Sequence, residues 1–147
     1  IHIINAISEN ARESKKECWI LSQDMSKAFD LINRNMLDKA MARLQFPQQL
    51  RKIFLTAFQD RTNQVITDYG LTDPYQLNNG VDQGEVFSPL MWCIYYDPLL
   101  SEVESRGLGY KLTHSYKQNL YDNTYTMLEI HNSTTAFMDD TTWFTPS

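Results

Sequence analysis

Apolar residues recur at helical spacing from the first residue: Ile1, Ile4, Ile7 and Ala11 share a face, so residues 1–17 are predicted to form an amphipathic helix with a charged last turn. Residues 18–24, Cys-Trp-Ile-Leu-Ser-Gln-Asp, read as a strand, with Ile20, Ser22 and Asp24 on one side and Trp19, Leu21 and Gln23 on the other. Ser26 is expected to cap a helix whose apolar stripe runs Phe29, Ile32, Met36, Leu37, Ala40, Met41, Leu44. Pro47 opens another, through Ile53, Phe54 and Phe58. Two strands are predicted at 63–68 and 75–79, joined by a hairpin loop over 69–74 that contains Gly70. After a loop with two glycines, Ser88-Pro89 reads as an N-cap and first helical residue. That helix continues through Trp92, Ile94, Tyr95 and Leu99, with Pro98 expected to kink or interrupt it. Residues 108–131, rich in Tyr and Thr, suggest one or two strands, and a last strand pair flanks Asp139-Asp140.

With no repeat and no low-complexity linker, one domain over 1–147 is the simplest expectation. A composition 42% hydrophobic and 12% aromatic is that of a folded chain. The net charge of −5 excludes a free-standing basic nucleic-acid binder, but it is unevenly spread. Residues 1–61 hold ten bases and seven acids, net +3, and residues 62–147 hold three bases and eleven acids, net −8. Cys18 and Cys93 form no disulfide framework, and with His2, His114 and His131 they show no zinc spacing, so a reducing intracellular setting is expected. The longest apolar run, 86–100, is broken by Asp97-Pro98 and too short for a bilayer, so no membrane partner is expected. The chain opens at Ile1 inside an apolar-periodic run and stops just after the acidic turn, which reads as a piece of a longer protein.

Three stretches carry candidate chemistry: Asp24-Met25-Ser26-Lys27-Ala28-Phe29-Asp30, then Gly80-Val81-Asp82-Gln83-Gly84-Glu85-Val86-Phe87-Ser88-Pro89, then Phe137-Met138-Asp139-Asp140. Carboxylates on neighbouring strands make a platform for Mg²⁺, which takes a few carboxylates plus phosphate oxygens and water. Two such ions about 3.5–4 Å apart serve an in-line displacement at phosphorus. Asp24 ends one strand and Asp139 sits at a turn between two others, so they meet if those strands are adjacent. Strand alternation makes Asp139 and Asp140 point differently, and Asp24 and Asp139 are taken as the main ligands with Asp140 auxiliary. Gly84, lacking a Cβ, permits close backbone approach to a ligand beside Gln83; an ordinary turn before a helix reads the same way.

In their order and wording these stretches resemble the palm motifs A, B and C of reverse transcriptases, in the branch of non-LTR retrotransposons and group II introns, over roughly residues 19–143. The resemblance implies an α+β polymerase palm, a small antiparallel sheet with helices packed on one face. It implies an RNA-directed DNA polymerase that adds dNTPs to a primer 3′ end with two Mg²⁺ ions, Mn²⁺ being the alternative. By that likeness Asp24, Asp139 and Asp140 are catalytic, and the Met25 carbonyl joins them as a metal ligand. Lys27, Ala28, Phe29, Gln83 and Gly84 line the nucleotide, with Phe29 as the bulky residue that excludes a ribose 2′-hydroxyl. Periodicity alone makes Phe29 a core residue and Lys27 a solvated one. The implied partners are an RNA template, a DNA primer and dNTPs, with basic fingers expected before Ile1 and a thumb after Ser147. Glu85-Val86-Phe87 departs from the small or Cys residue, Pro and Leu of the family pattern, and places an acid beside phosphates. Arg61 and Val65 match the segment upstream of motif B in a way that reads as structural. Two rivals stay open: a decayed or repurposed palm that binds nucleic acid or a partner without catalysis, and an acidic two-metal phosphoesterase of another class.

Overall fold

A computed structural model describes residues 2–77, 79–117 and 124–146. The chain falls into two compact units, residues 1–25 with 99–147, and residues 26–98. The first holds helix α1 (His2–Ser14) and a three-stranded antiparallel sheet of β1 (Trp19–Asp24), β9 (Asp140–Thr145) and β8 (Thr134–Phe137), in the order β1-β9-β8. A two-stranded ladder of β6 (Tyr110–Lys117) and β7 (Tyr125–Asn132) completes it; residues 118–123, part of the predicted Tyr- and Thr-rich stretch, lie outside the described residues. α1 ends because Lys15 turns left-handed (φ 52°), letting Lys16 N donate to Ala11 O and Lys15 N to Arg12 O, the paired bonds of a Schellman stop. Its apolar face meets the sheet: Ile7, Ala11, Phe144 and Tyr110 form one buried cluster, with Ile4, Cys18 and Leu112 packed around it. Asn10 ties α1 to β6, donating to Thr113 O at 2.9 Å and accepting from the Tyr110 hydroxyl at 3.0 Å.

The second unit holds α2 (Arg34–Arg43), α3 (Gln48–Ala57), four short strands and the first turns of α4 (Ser88–Ser105). The helix expected behind Ser26 starts later. Residues 26–31 are a turn with Lys27 at φ 54°, and Asn33 caps α2, its Oδ1 accepting from Asn35 N at 3.0 Å and Met36 N at 3.2 Å. Phe29 and Ile32 continue the helical stripe in sequence, yet their carbonyls are taken by Val81 N and Gly80 N. That outside pairing replaces helical bonds. Pro47 precedes α3 as its cap rather than its first residue.

The two predicted strands are four: β2 (Arg61–Asn63) pairs β5 (Tyr75–Leu77), and β3 (Ile66–Thr67) pairs β4 (Gly70–Leu71) inside them. The turn is therefore at 68–69, where Thr67 Oγ1 accepts from Tyr69 N, and not across 69–74. Asn78, within the predicted second strand, lies outside the described residues. α4 also differs from expectation. Ser88 is already helical, since Met91 N bonds Phe87 O, and its buried Oγ makes no cap bond. Pro98 lies inside α4 without ending it. Among the described residues no helix is long and apolar enough to cross a membrane.

In the second unit, Gly80 is the glycine that neighbouring backbone crowds. It has φ 83°, and a Cβ there would sit 2.6 Å from Asp30 O, whereas Gly70 (φ 115°) opens on empty space. Gly80→Ala should therefore destabilise by more than about 2 kcal/mol, combining clash and left-handed strain, against about 1 kcal/mol for Gly70→Ala from strain alone. Urea-unfolding midpoints of the two variants check this; equal shifts would show that the contact with Asp30 carries no weight.

Candidate active site

β1 and β9 pair along their full lengths, Trp19 opposite Thr145 and Asp24 opposite Asp140. Directly opposed residues share a face of an antiparallel sheet, so Asp24 and Asp140 lie on the side that carries Ser22, Thr142 and the buried Phe144. β8 returns through the two-residue loop Met138-Asp139, with Phe137 opposite Asp140. Met138 takes a positive φ of 54° at the first loop position, as in the primed turns that join twisted strands. The loop is held from outside the hairpin too: Met25 N donates to Asp139 O at 3.2 Å. The four residues expected to hold metal, Asp24, Met25, Asp139 and Asp140, thus meet at one end of one sheet.

Asp24 and Asp140 are exposed and Asp139 is half-buried. Among the described residues no cationic side chain pairs with any of the three. Like charges directly opposite on a sheet destabilise it, and among the described residues no ion pair offsets them. A cleft of about 490 Å³ opens beside this corner, lined by Asp140, Ser22, Thr142 and Phe137 with Ile3 and Ile4 of α1. Among the described residues no three His, Cys, Asp or Glu side chains are gathered closely enough to hold a metal ion by themselves. The donors still suit Mg²⁺, which is bound by one or two carboxylates and completes its shell with water and substrate phosphate.

The residues expected along the nucleotide all belong to the second unit. Lys27, exposed and left-handed, and the buried Ala28 lie on the 26–31 turn. Phe29 is half-buried, its ring 6.0 Å from that of Trp92. The glycine loop is stitched to this turn: Val81 N donates to Phe29 O and Gly80 N to Ile32 O, each at 3.0 Å. Gln83 is exposed, and Gly84 (φ 96°) has nothing within 4 Å of where a Cβ would lie, which leaves its backbone open to approach. The family likeness marks Arg61 as structural, but no motif spacing discloses its pairing with Asp82. They pair at 2.5 Å between Nη1 and Oδ2, from positions with no shared periodicity in the sequence.

Residues 2–147 match the protein family described as reverse transcriptase (RNA-dependent DNA polymerase). Two similar proteins are both described as Retrovirus-related Pol polyprotein from type-1 retrotransposable element R2, from Popillia japonica. One is 24% identical over 98 residues and the other 26% over 109, covering 67% and 73% of this chain. The aligned region spans only 16% and 15% of those relatives. Among solved structures, the telomerases of Candida albicans and Candida tropicalis, each in complex with a TWJ fragment of telomeric RNA, share the fold. Their TM-scores are 0.56 and 0.57 at 15% and 16% identity, over 99% of this chain and 26% and 24% of theirs. The α+β arrangement is accordingly palm-like, and with a family match over nearly its whole length, this chain belongs to the reverse transcriptases.

Proposed function

We propose that the chain is the catalytic palm of an RNA-directed DNA polymerase of non-LTR retroelement type, which extends a DNA primer with dNTPs on an RNA template. The observation that carries this reading is the uncompensated carboxylate corner, with Asp24 opposite Asp140 and Asp139 on the loop held by Met25 N. Asp24, Asp139, Asp140 and the Met25 carbonyl would hold two Mg²⁺ ions, or Mn²⁺ in their place. Bound there, the metal supplies Lewis-acid stabilisation of the attacking and leaving oxygens. The protein's own part is to hold Asp24 and Asp140 opposite each other on paired strands, with Asp139 on the adjoining loop, and to present an open backbone at Gln83-Gly84. Phe29, Lys27 and Ala28 would bound the nucleotide sugar and phosphates. Asp139 is assigned the larger share beside Asp24, because its carbonyl bond to Met25 fixes it against the end of β1.

In a polypeptide that carries this chain, Asp24→Asn and Asp139→Asn should each lower primer extension by at least about a thousandfold, since each removes charge stabilisation worth roughly 4 kcal/mol. Asp140→Asn should cost less. A larger loss at Asp140 would transfer the main role to the residue that shares a face with Asp24, and undiminished extension in all three would sink the polymerase reading. A readout without catalysis is also available. In EDTA, Asp140→Asn should stabilise the fold by about 0.2–1 kcal/mol by relieving repulsion with Asp24, and Mg²⁺ should stabilise the wild type more than this variant. Unchanged melting in both comparisons would remove the corner as a cation site.

Phe29 separates two roles by one ratio. As a sugar gate, Phe29→Ala should raise ribonucleotide over deoxyribonucleotide incorporation by more than about tenfold, a difference of roughly 1.4 kcal/mol. If Phe29 only packs on Trp92, the variant melts earlier and the ratio stays put.

A further inference from the structure

Arg61 makes a hydrogen bond and an ion pair to the extended segment 80–82 that leads into Gln83-Gly84. Its Nη2 donates to Gly80 O at 2.7 Å, and its Nη1 lies 2.5 Å from Asp82 Oδ2. Asn63 Nδ2 reaches the other oxygen of Asp82 at 3.4 Å, and the Phe58 ring lies 5.3 Å under the guanidinium. The side chain is only 12% exposed, so this is a built contact rather than a surface ion pair. The loop beyond has few other restraints: Gln83 is exposed, Gly84 touches nothing within 4 Å of its Cβ direction, and Glu85 N reaches back to Asp82 O at 3.5 Å. The same segment also grips the 26–31 turn through Val81 N and Phe29 O.

We infer that Arg61 is a positioning residue for the nucleotide: by clamping Gly80 and Asp82 it sets where the Gln83-Gly84 backbone stands and, through Val81, where Phe29 stands. A planar guanidinium suits the task because its fork holds a carbonyl and a carboxylate at once. Lysine offers a point charge and can keep only one of the two in place. This inference rests on the polymerase reading for its functional half, while the clamp itself can be measured without catalysis.

The test compares Arg61→Lys and Asp82→Asn with Arg106→Lys, which alters an exposed pair with Glu102. Amide hydrogen exchange in the intact chain should speed up at least tenfold at Gly80 and Val81, whose amides bond Ile32 O and Phe29 O, in both clamp variants, with Leu37 and Ala40 of α2 unchanged and no change in the control. In a polypeptide that carries this chain, Arg61→Lys should raise KM for dNTP about tenfold with kcat within about threefold, and the double variant should add little to either single one. Unchanged exchange at Gly80 and Val81, or equal acceleration in α2, would overturn the clamp. A loss confined to kcat would overturn the positioning role. If the wild type adds no templated dNTP at all, the polymerase reading falls, and with it the functional half, whatever the exchange shows.

Discussion

The β1–β9 ladder is the pairing on which the carboxylate corner depends. Six consecutive residue pairs, from Trp19 and Thr145 to Asp24 and Asp140, bring together segments that the chain keeps far apart. The ladder does more than lower distance. It places two exposed anions opposite each other at one end, within reach of water and of incoming cations. Its other end is anchored by Phe144 in the cluster with Ile7 and Ala11. Apolar burial therefore supports a pairing that the terminal charges oppose, a division of labour common where rigid strands must carry a functional site.

The second unit solves a different problem. To serve the nucleotide as proposed above, its loop would have to offer bare backbone, and so could not be secured by its own side chains. The securing bonds lie just before it, at Gly80, Val81 and Asp82, and come from the 26–32 turn and from Arg61. Gly80 is required there because Asp30 backbone occupies the space a Cβ would need, and Gly84 leaves its space empty. Two glycines four residues apart thus serve opposite ends, one close packing and the other open access.

Much of this was legible in the sequence where one local pattern spoke without rival. Helical spacing gave α1, the short run 18–24 ending in Asp24 read as β1, and an acidic pair between apolar and β-branched runs gave the closing hairpin. The start of α2 was not legible because Phe29 and Ile32 stay in phase with Met36 and Leu37. Periodicity cannot distinguish a buried turn from a helix when tertiary hydrogen bonds decide between them. The 61–77 segment hid four strands because its ladders are only two or three residues long. Alternation said that Asp139 and Asp140 differ, but which of them faces Asp24 depends on register, and a slip of one residue would exchange them. The Arg61–Asp82 pair is purely tertiary, and no spacing rule reaches it.

The central place of β9 also governs the order in which the site comes into being. Gln23 and Trp143, which hydrogen-bond across the ladder, stand 120 residues apart in the chain. At roughly 5–20 residues per second on the ribosome, β1 waits on the order of 6–24 s before its partner exists. During that interval Trp19 and Leu21 have no sheet to join, and closing so long a loop is a slow step in folding. The carboxylate corner therefore forms only once β9 exists, and a chain halted before β9 carries Asp24 without its opposing acid.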